Sequence, residues 1–228
     1  ETTKTGIVSP VLYADVVILD ATFTTGLPAH ITAATGIDAM VHAIEAYTSK
    51  IKKNVYADML AKQALKLLNK NLKLVLADGS NLEARQNMLF GSMLAGQAFA
   101  NAPVGAVHAL AYPLCGHFHL SHGHSNALVL LEVLKFNASE AKPHYAELMQ
   151  WLNPYSKGST DGLCDLFIDH IQSHLDESGL TLKLRDLNIQ EHQLEILAND
   201  AMLQTRLLQN NPKTLQHADA LKIYQAIY

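Results

Sequence analysis

The sequence predicts a mainly α-helical domain preceded by a short fragment of sheet. Three observations carry that expectation. Two short β-branched or apolar runs, at residues 6–8 and 16–19, stand before Pro28. After Pro28 the apolar residues switch to i, i+3, i+4, i+7 spacing. Beyond that point only residues 153–159 and 209–214 read as long polar connections.

Each element follows from its pattern. The runs at 6–8 and 16–19 are bounded by Pro10 and by the polar stretch 20–25, and read as two strands whose sheet partners lie elsewhere. Residues 32–48 place Ile37, Met40, Val41, Ile44 and Tyr47 on one helical face, and 55–76 do the same with Tyr56, Leu60, Ala64, Leu67 and Leu68. Asp78, Gly79, Ser80 and Asn81 make a turn. The helix expected over 82–101 is rich in Gly91, Ser92, Ala95, Gly96, Ala98 and Ala100, which suits close packing against another backbone. Residues 105–137 read as helix, histidine-rich turn and helix, with Pro113 and Gly116 ending the first. Further helices are expected over 142–152, 162–175, 190–208 and 218–227.

Composition narrows the function classes. The chain has 228 residues, 49% hydrophobic and 17% charged, enough to bury a core. Lys and Arg number 17 against 21 Asp and Glu, a net charge of −4 with no basic stripe, so no nucleic-acid partner is expected. Two cysteines, Cys115 and Cys164, read as reduced thiols of a cytoplasmic protein. The longest apolar runs fall far short of the roughly 20 residues that span a bilayer, and no signal-peptide pattern stands at the start. The first residue is Glu1, and the chain is expected to begin mid-protein. Of 12 histidines, His108, His117, His119, His122 and His124 crowd one short window.

Asp38 and His42 are four apart in a predicted helix, so their side chains share one face and can hold one metal ion. A single such pair is more often a surface contact. His108 sits among apolar residues, where a lone histidine is usually a satisfied core group, and His122 opens the next helix beside Gly123. Taken together, Asp38, His42, His108 and His122 would make one carboxylate and three imidazoles, a set that suits Fe(II) or Zn(II) and leaves a position open to substrate.

Residues 17–20 (Val-Ile-Leu-Asp), Pro28, residues 33–40 (Ala-Ala-Thr-Gly-Ile-Asp-Ala-Met) and Glu45 resemble the first signature of the iron-containing (group III) alcohol dehydrogenases. The stretch 105–127, with His108, His122 and Asn126-Ala127, resembles the second, and Asn211-Pro212 and the last helix are also similar. The resemblance runs from about Lys4 to the C-terminus. It implies a dehydroquinate synthase-like fold in two domains, of which residues 1–28 are remnant strands of the nucleotide-binding domain and 29–228 the all-helical metal-binding domain. It implies further that Asp38, His42, His108 and His122 ligate iron or zinc. Lys4 then matches a position near the ribose of NAD or NADP, and the reaction is hydride transfer between a small alcohol or aldehyde and nicotinamide. No Gly-rich strand-to-helix turn precedes residue 30, so these residues alone are expected to bind metal weakly at most and not to turn over.

Departures from the family pattern are expected to matter locally. Tyr112 stands where many members have a second histidine, either to hydrogen-bond substrate or to pack. Cys115 replaces a small residue, Leu131-Glu132 replaces Pro-His, and His117, His119 and His124 read as a solvated turn. An exposed sheet fragment favours a homodimer or higher oligomer. Two competing readings are a metal-dependent lyase of the dehydroquinate synthase type and a truncated, non-catalytic helical domain; the first calls for basic phosphate-binding residues not seen in the sequence.

Overall fold

The structure, a computed structural model, describes residues 6–7 and 9–228. Among these the helices are α1 (Ala29–Thr48), α2 (Val55–Ala77), α3 (Leu82–Asn101), α4 (Ala106–Phe118), α5 (His122–Leu152), α6 (Thr160–Asp176), α7 (Leu194–Met202), α8 (Thr205–Leu208) and α9 (His217–Ala226). Short side chains start several of them by accepting from orphan amides. Asn54 caps α2 through Ala57 N (2.9 Å), Asn81 caps α3 through Ala84 N (3.0 Å) and Ser159 caps α6 through Gly162 N (3.1 Å).

Helices α1, α2 and α3 pack on one another; α5 lies against α1 and α4 and carries α6 on its other side, while α7 and α9 pair beside α4. Leu65, Leu68 and Leu72 of α2 are fully buried in the core, each contributing roughly 1.5–3 kcal/mol by leaving water. The small residues of α3 divide by face. A Cβ on Gly91 would stand 3.0 Å from Leu68 Cγ, so this glycine lets α2 and α3 close up, with Ala95 and Ala98 buried on the same stripe. Gly96 has nothing within 4 Å of such a Cβ, and Ala100 is exposed, so close packing involves only half of the small residues that suggested it.

Several expected boundaries are corrected. There is no strand among the described residues: residues 16–19 run without a ladder, and Val8 lies outside the described residues. A strand's backbone groups are satisfied only by a neighbour, and no described segment supplies one. Two short 3-10 turns, Pro10–Leu12 and Ala21–Thr24, are the regular structure of this leading segment.

Pro113 lies inside α4, and the helix continues past Gly116 to Phe118, ending on His119 in the left-handed region at φ 54°. Histidine tolerates that conformation better than most residues with a Cβ, and the burial of residues 106–114 outweighs the lost proline hydrogen bond. The helices expected over 122–137 and 142–152 are one 31-residue helix, about 46 Å long, that passes through Pro143. Residues 190–208 break into a 3-10 turn, Glu191–Gln193, followed by α7 and α8. The connection between α6 and α7 is longer than the sequence suggested, and it packs on the core through buried Leu184 and Ile189, which flank a short 3-10 turn, Arg185–Leu187.

Candidate metal centre

Three helices bring the histidine and aspartate side chains together. Asp38 and His42 occupy successive turns of α1, His108 lies in the first turn of α4 and His122 is the first residue of α5. The start of α5 is pressed against the backbone of α1: a Cβ on Gly123 would lie 2.3 Å from the carbonyl oxygen of Ala34, which only glycine permits. The start of α4 is anchored by Asn211, whose Oδ1 accepts from Ala106 N (3.3 Å) and from Asn137 Nδ2 (3.0 Å), while its Nδ2 donates to Asn137 Oδ1 (2.7 Å).

Nε2 of His42, His108 and His122 stand 3.8, 3.8 and 3.7 Å from one carboxylate oxygen, Oδ1 of Asp38. One donor atom from each of the four residues lies within 4.8 Å of every other. These separations are too long for hydrogen bonds. They suit atoms facing a shared centre, since two ligands about 2.1 Å from one ion at a tetrahedral angle are about 3.4 Å apart. The donor set of neutral imidazoles and one carboxylate fits Fe(II) or Zn(II).

Asn126, one turn beyond His122 and fully buried, donates Nδ2 to Asp38 Oδ1 at 2.5 Å and lies 3.4 and 3.3 Å from Nε2 of His108 and His122. Its Oδ1 is buried with no partner among the described residues. An amide N–H thus reaches the same lone pairs that a cation would attract, which is a second mark of a site built from acceptors. His108 is fixed from behind: its Nδ1 is 2.7 Å from Glu45 Oε2, and Glu45 Oε1 accepts Val107 N–H at 2.7 Å. His42 stacks on His108 (4.8 Å between centroids) and meets Phe99 at a tilt (4.5 Å). Burial pushes the His42 imidazole down to about 3, with Asp38 opposing and the neighbouring histidines reinforcing the shift, so the ring is neutral with a lone pair to offer.

The other sequence candidates divide. The Tyr112 ring lies 6.0 Å from that of His122, and its hydroxyl and Arg206 Nη2 both approach the place a Cβ on Gly6 would occupy, at 3.7 and 3.3 Å. Burial raises the Tyr112 phenol despite the opposing charge of Arg206, so it presents a protonated oxygen. Lys4 lies outside the described residues. The histidine-rich turn is not simply solvated: His117 Nε2 donates to Asp200 Oδ2 (2.5 Å) and His124 Nε2 donates to the Thr181 carbonyl (2.6 Å), leaving His119 as the exposed member. Both thiols are free, Cys164 buried and Cys115 half-buried. Glu45, Asn126 and Phe99 were given no role by the sequence, although Glu45 sits seven after Asp38 and Asn126 four after His122, spacings that put each on a ligand's face.

Residues 32–228 match the model of the Fe-containing alcohol dehydrogenase family, C-terminal. Over 233 aligned residues the chain is 39% identical to long-chain-alcohol dehydrogenase 1 of Geobacillus thermodenitrificans, covering 100% of this chain and 58% of that protein. It superposes on the crystal structure of a 1,3-propanediol oxidoreductase with a TM-score of 0.88 at 35% identity, covering 92% of this chain and 55% of the other. Sulfoacetaldehyde reductase from Bifidobacterium kashiwanohense, solved with NAD+, matches with a TM-score of 0.80 at 29% identity over 91% of this chain and 53% of the other. The chain spans about half the length of the proteins it matches.

Proposed function

The chain belongs to the iron-containing alcohol dehydrogenase family and forms its C-terminal helical domain, and from that premise we propose that Asp38, His42, His108 and His122 hold one divalent ion, iron(II) or zinc(II), for an NAD(P)-dependent dehydrogenase. The reaction is oxidation of a small alcohol by NAD(P)+ to the aldehyde, NAD(P)H and a proton, and its reverse. The observation that carries this reading is the meeting of the four donor atoms, from three helices, within 4.8 Å.

A divalent ion supplies Lewis-acid polarisation of a hydroxyl or carbonyl oxygen. The chain's own residues do the rest. Asp38 and three neutral imidazoles present lone pairs, Phe99 covers His42, and Tyr112 stands beside His122 with a phenol able to donate to a substrate oxygen. Residues 1–28 belong with the nucleotide-binding domain and 29–228 form the metal-binding domain; Lys4 contributes to the ribose pocket when that first domain is joined to it. Orientation of nicotinamide against substrate needs both walls of the cleft, so hydride transfer needs both domains. No described helix is long and apolar enough to cross a membrane. The free thiols suit the cytoplasm, and the exposed apolar leading segment suits a homodimer or higher oligomer.

The test is metal loading with anomalous scattering. One ion per chain at the four donor atoms is expected, and no stoichiometric ion in Asp38→Asn, with the helical circular dichroism of the two proteins equal. An ion elsewhere, or equal loading of the variant, overturns the reading.

A further inference from the structure

Glu45 is a buried carboxylate, only 6% exposed, that no Lys or Arg approaches among the described residues. Both of its oxygens are committed, Oε1 to Val107 N–H and Oε2 to His108 Nδ1, each at 2.7 Å. A carboxylate buried without a cationic partner is costly, and its retention on the face that carries Asp38 and His42 calls for a reason.

Proton bookkeeping supplies one. An ionised carboxylate only accepts, so the neutral His108 ring, the form that can bind a metal, carries its proton on Nδ1 and keeps the Nε2 lone pair. That lone pair points at the position shared with Asp38 Oδ1, 3.8 Å away. The charge count agrees: with three neutral imidazoles, Asp38 and Glu45 together carry two negative charges, which balance one dication in a buried site. Val107 N–H is one of the orphan donors of the first turn of α4, where Gly105 offers no capping side chain, so the same carboxylate also fixes the end of the helix that presents His108.

We propose that Glu45 is the positioning residue of the metal centre, holding the Nδ1 proton of His108 so that Nε2 faces the ion and supplying the second negative charge that neutralises it. This rests on the reading of the four-residue cluster as a divalent-metal site. Removing such an outer partner typically weakens metal binding 10–100-fold.

The experiment compares wild type with Glu45→Gln by competition titration with Zn(II) and Co(II), and reads the His108 ring by nitrogen NMR without metal. In the variant the amide oxygen keeps the Val107 bond while the amide N–H2 faces Nδ1 and drives the ring proton onto Nε2. The dissociation constant is expected to rise about 10–100-fold, with a changed visible spectrum of bound Co(II) and unchanged far-ultraviolet circular dichroism. In the wild type the neutral His108 ring is expected to be protonated at Nδ1, a result that needs no variant to fold. A wild-type ring protonated at Nε2, or a folded variant that binds both metals as tightly as wild type, overturns the assignment of Glu45 alone. No binding of either ion by the wild type overturns the metal-centre reading beneath it.

Discussion

Residues 9–27 and the helical body that follows are both rich in apolar side chains, yet they treat them in opposite ways. Val11, Ile18 and Phe23 of the leading segment are 87%, 85% and 87% exposed, whereas Ile37, Leu68 and Leu110 in the body are 1% or less. A helix closes its own backbone hydrogen bonds, so an apolar face needs only another face to bury it. An extended run needs a partner for backbone and side chains alike. The same difference explains the candidate metal centre: its four donors come from α1, α4 and α5, elements that close on themselves and then pack.

The strongest way to break the body is at its tightest backbone contact. Gly123→Ala puts a Cβ 2.3 Å from the carbonyl oxygen and 2.6 Å from the carbonyl carbon of Ala34, neither of which can rotate away. A loss of about 3 kcal/mol is expected in urea unfolding, together with weaker metal binding, because the displaced helix start carries His122. Gly36→Ala is the comparison. Its new Cβ meets Leu72 Cδ1 at 2.6 Å and Met88 Cε at 2.9 Å, ends of flexible side chains that can move, so the loss is smaller. Equal losses would mean that the α1–α5 approach is not the tighter constraint.

How much of this was legible follows from the same division. Helical periodicity located α1, α2 and α3 closely, because their apolar faces are set by residues adjacent in sequence. It failed at Pro113, where a local breaker is overruled by burial of the surrounding turns, at residues 138–141, where it divided one helix into two, and at residues 16–19, where a local strand signal has nothing to pair with. That Asp38, His42, His108 and His122 could meet was legible from spacing and from family resemblance. The parts that aim them were not. Glu45 and Asn126 stand within the two signatures and on their ligands' faces, but their contacts, Glu45 to His108 across 63 residues and Asn126 to Asp38 across 88, are of a range that no local pattern announces.

Acid tests the body in a different place. His174 on α6 is 3% exposed, donates Nε2 to Asn69 Oδ1 at 2.7 Å, and faces His170, Lys73 and Glu177. Burial first, then His170 and Lys73, push it down from 6.5 to about 4. The unfolded chain therefore binds a proton that the folded one refuses between those values. Stability attached to this residue is complete above pH 6.5 and is lost as the pH falls toward 4, by about 3 kcal/mol over the window. Urea midpoints measured from pH 7 to 4 should fall less steeply in His174→Gln than in wild type. Parallel curves would remove His174 as the source.

The smallest effect is expected in the leading segment, and it sharpens the comparison most directly. Val16 and Ile18 are 78% and 85% exposed, so Val16→Lys with Ile18→Lys removes little buried area from the described chain. The change in unfolding free energy should stay within about 0.5 kcal/mol, as for other surface substitutions. The segment is held to the body by buried Ala21, whose turn packs on α3, and by polar ties such as Gln86 Nε2 to the Leu19 carbonyl at 3.3 Å and Arg85 Nη2 to that of Leu27 at 3.4 Å, and both lysines leave these in place. Self-association, read by sedimentation velocity, should decrease, because two charges now lie on an unpaired apolar edge. A loss above 1 kcal/mol in the monomer would show that this segment's apolar residues stabilise the body after all, and the two regions would then differ in degree and not in kind.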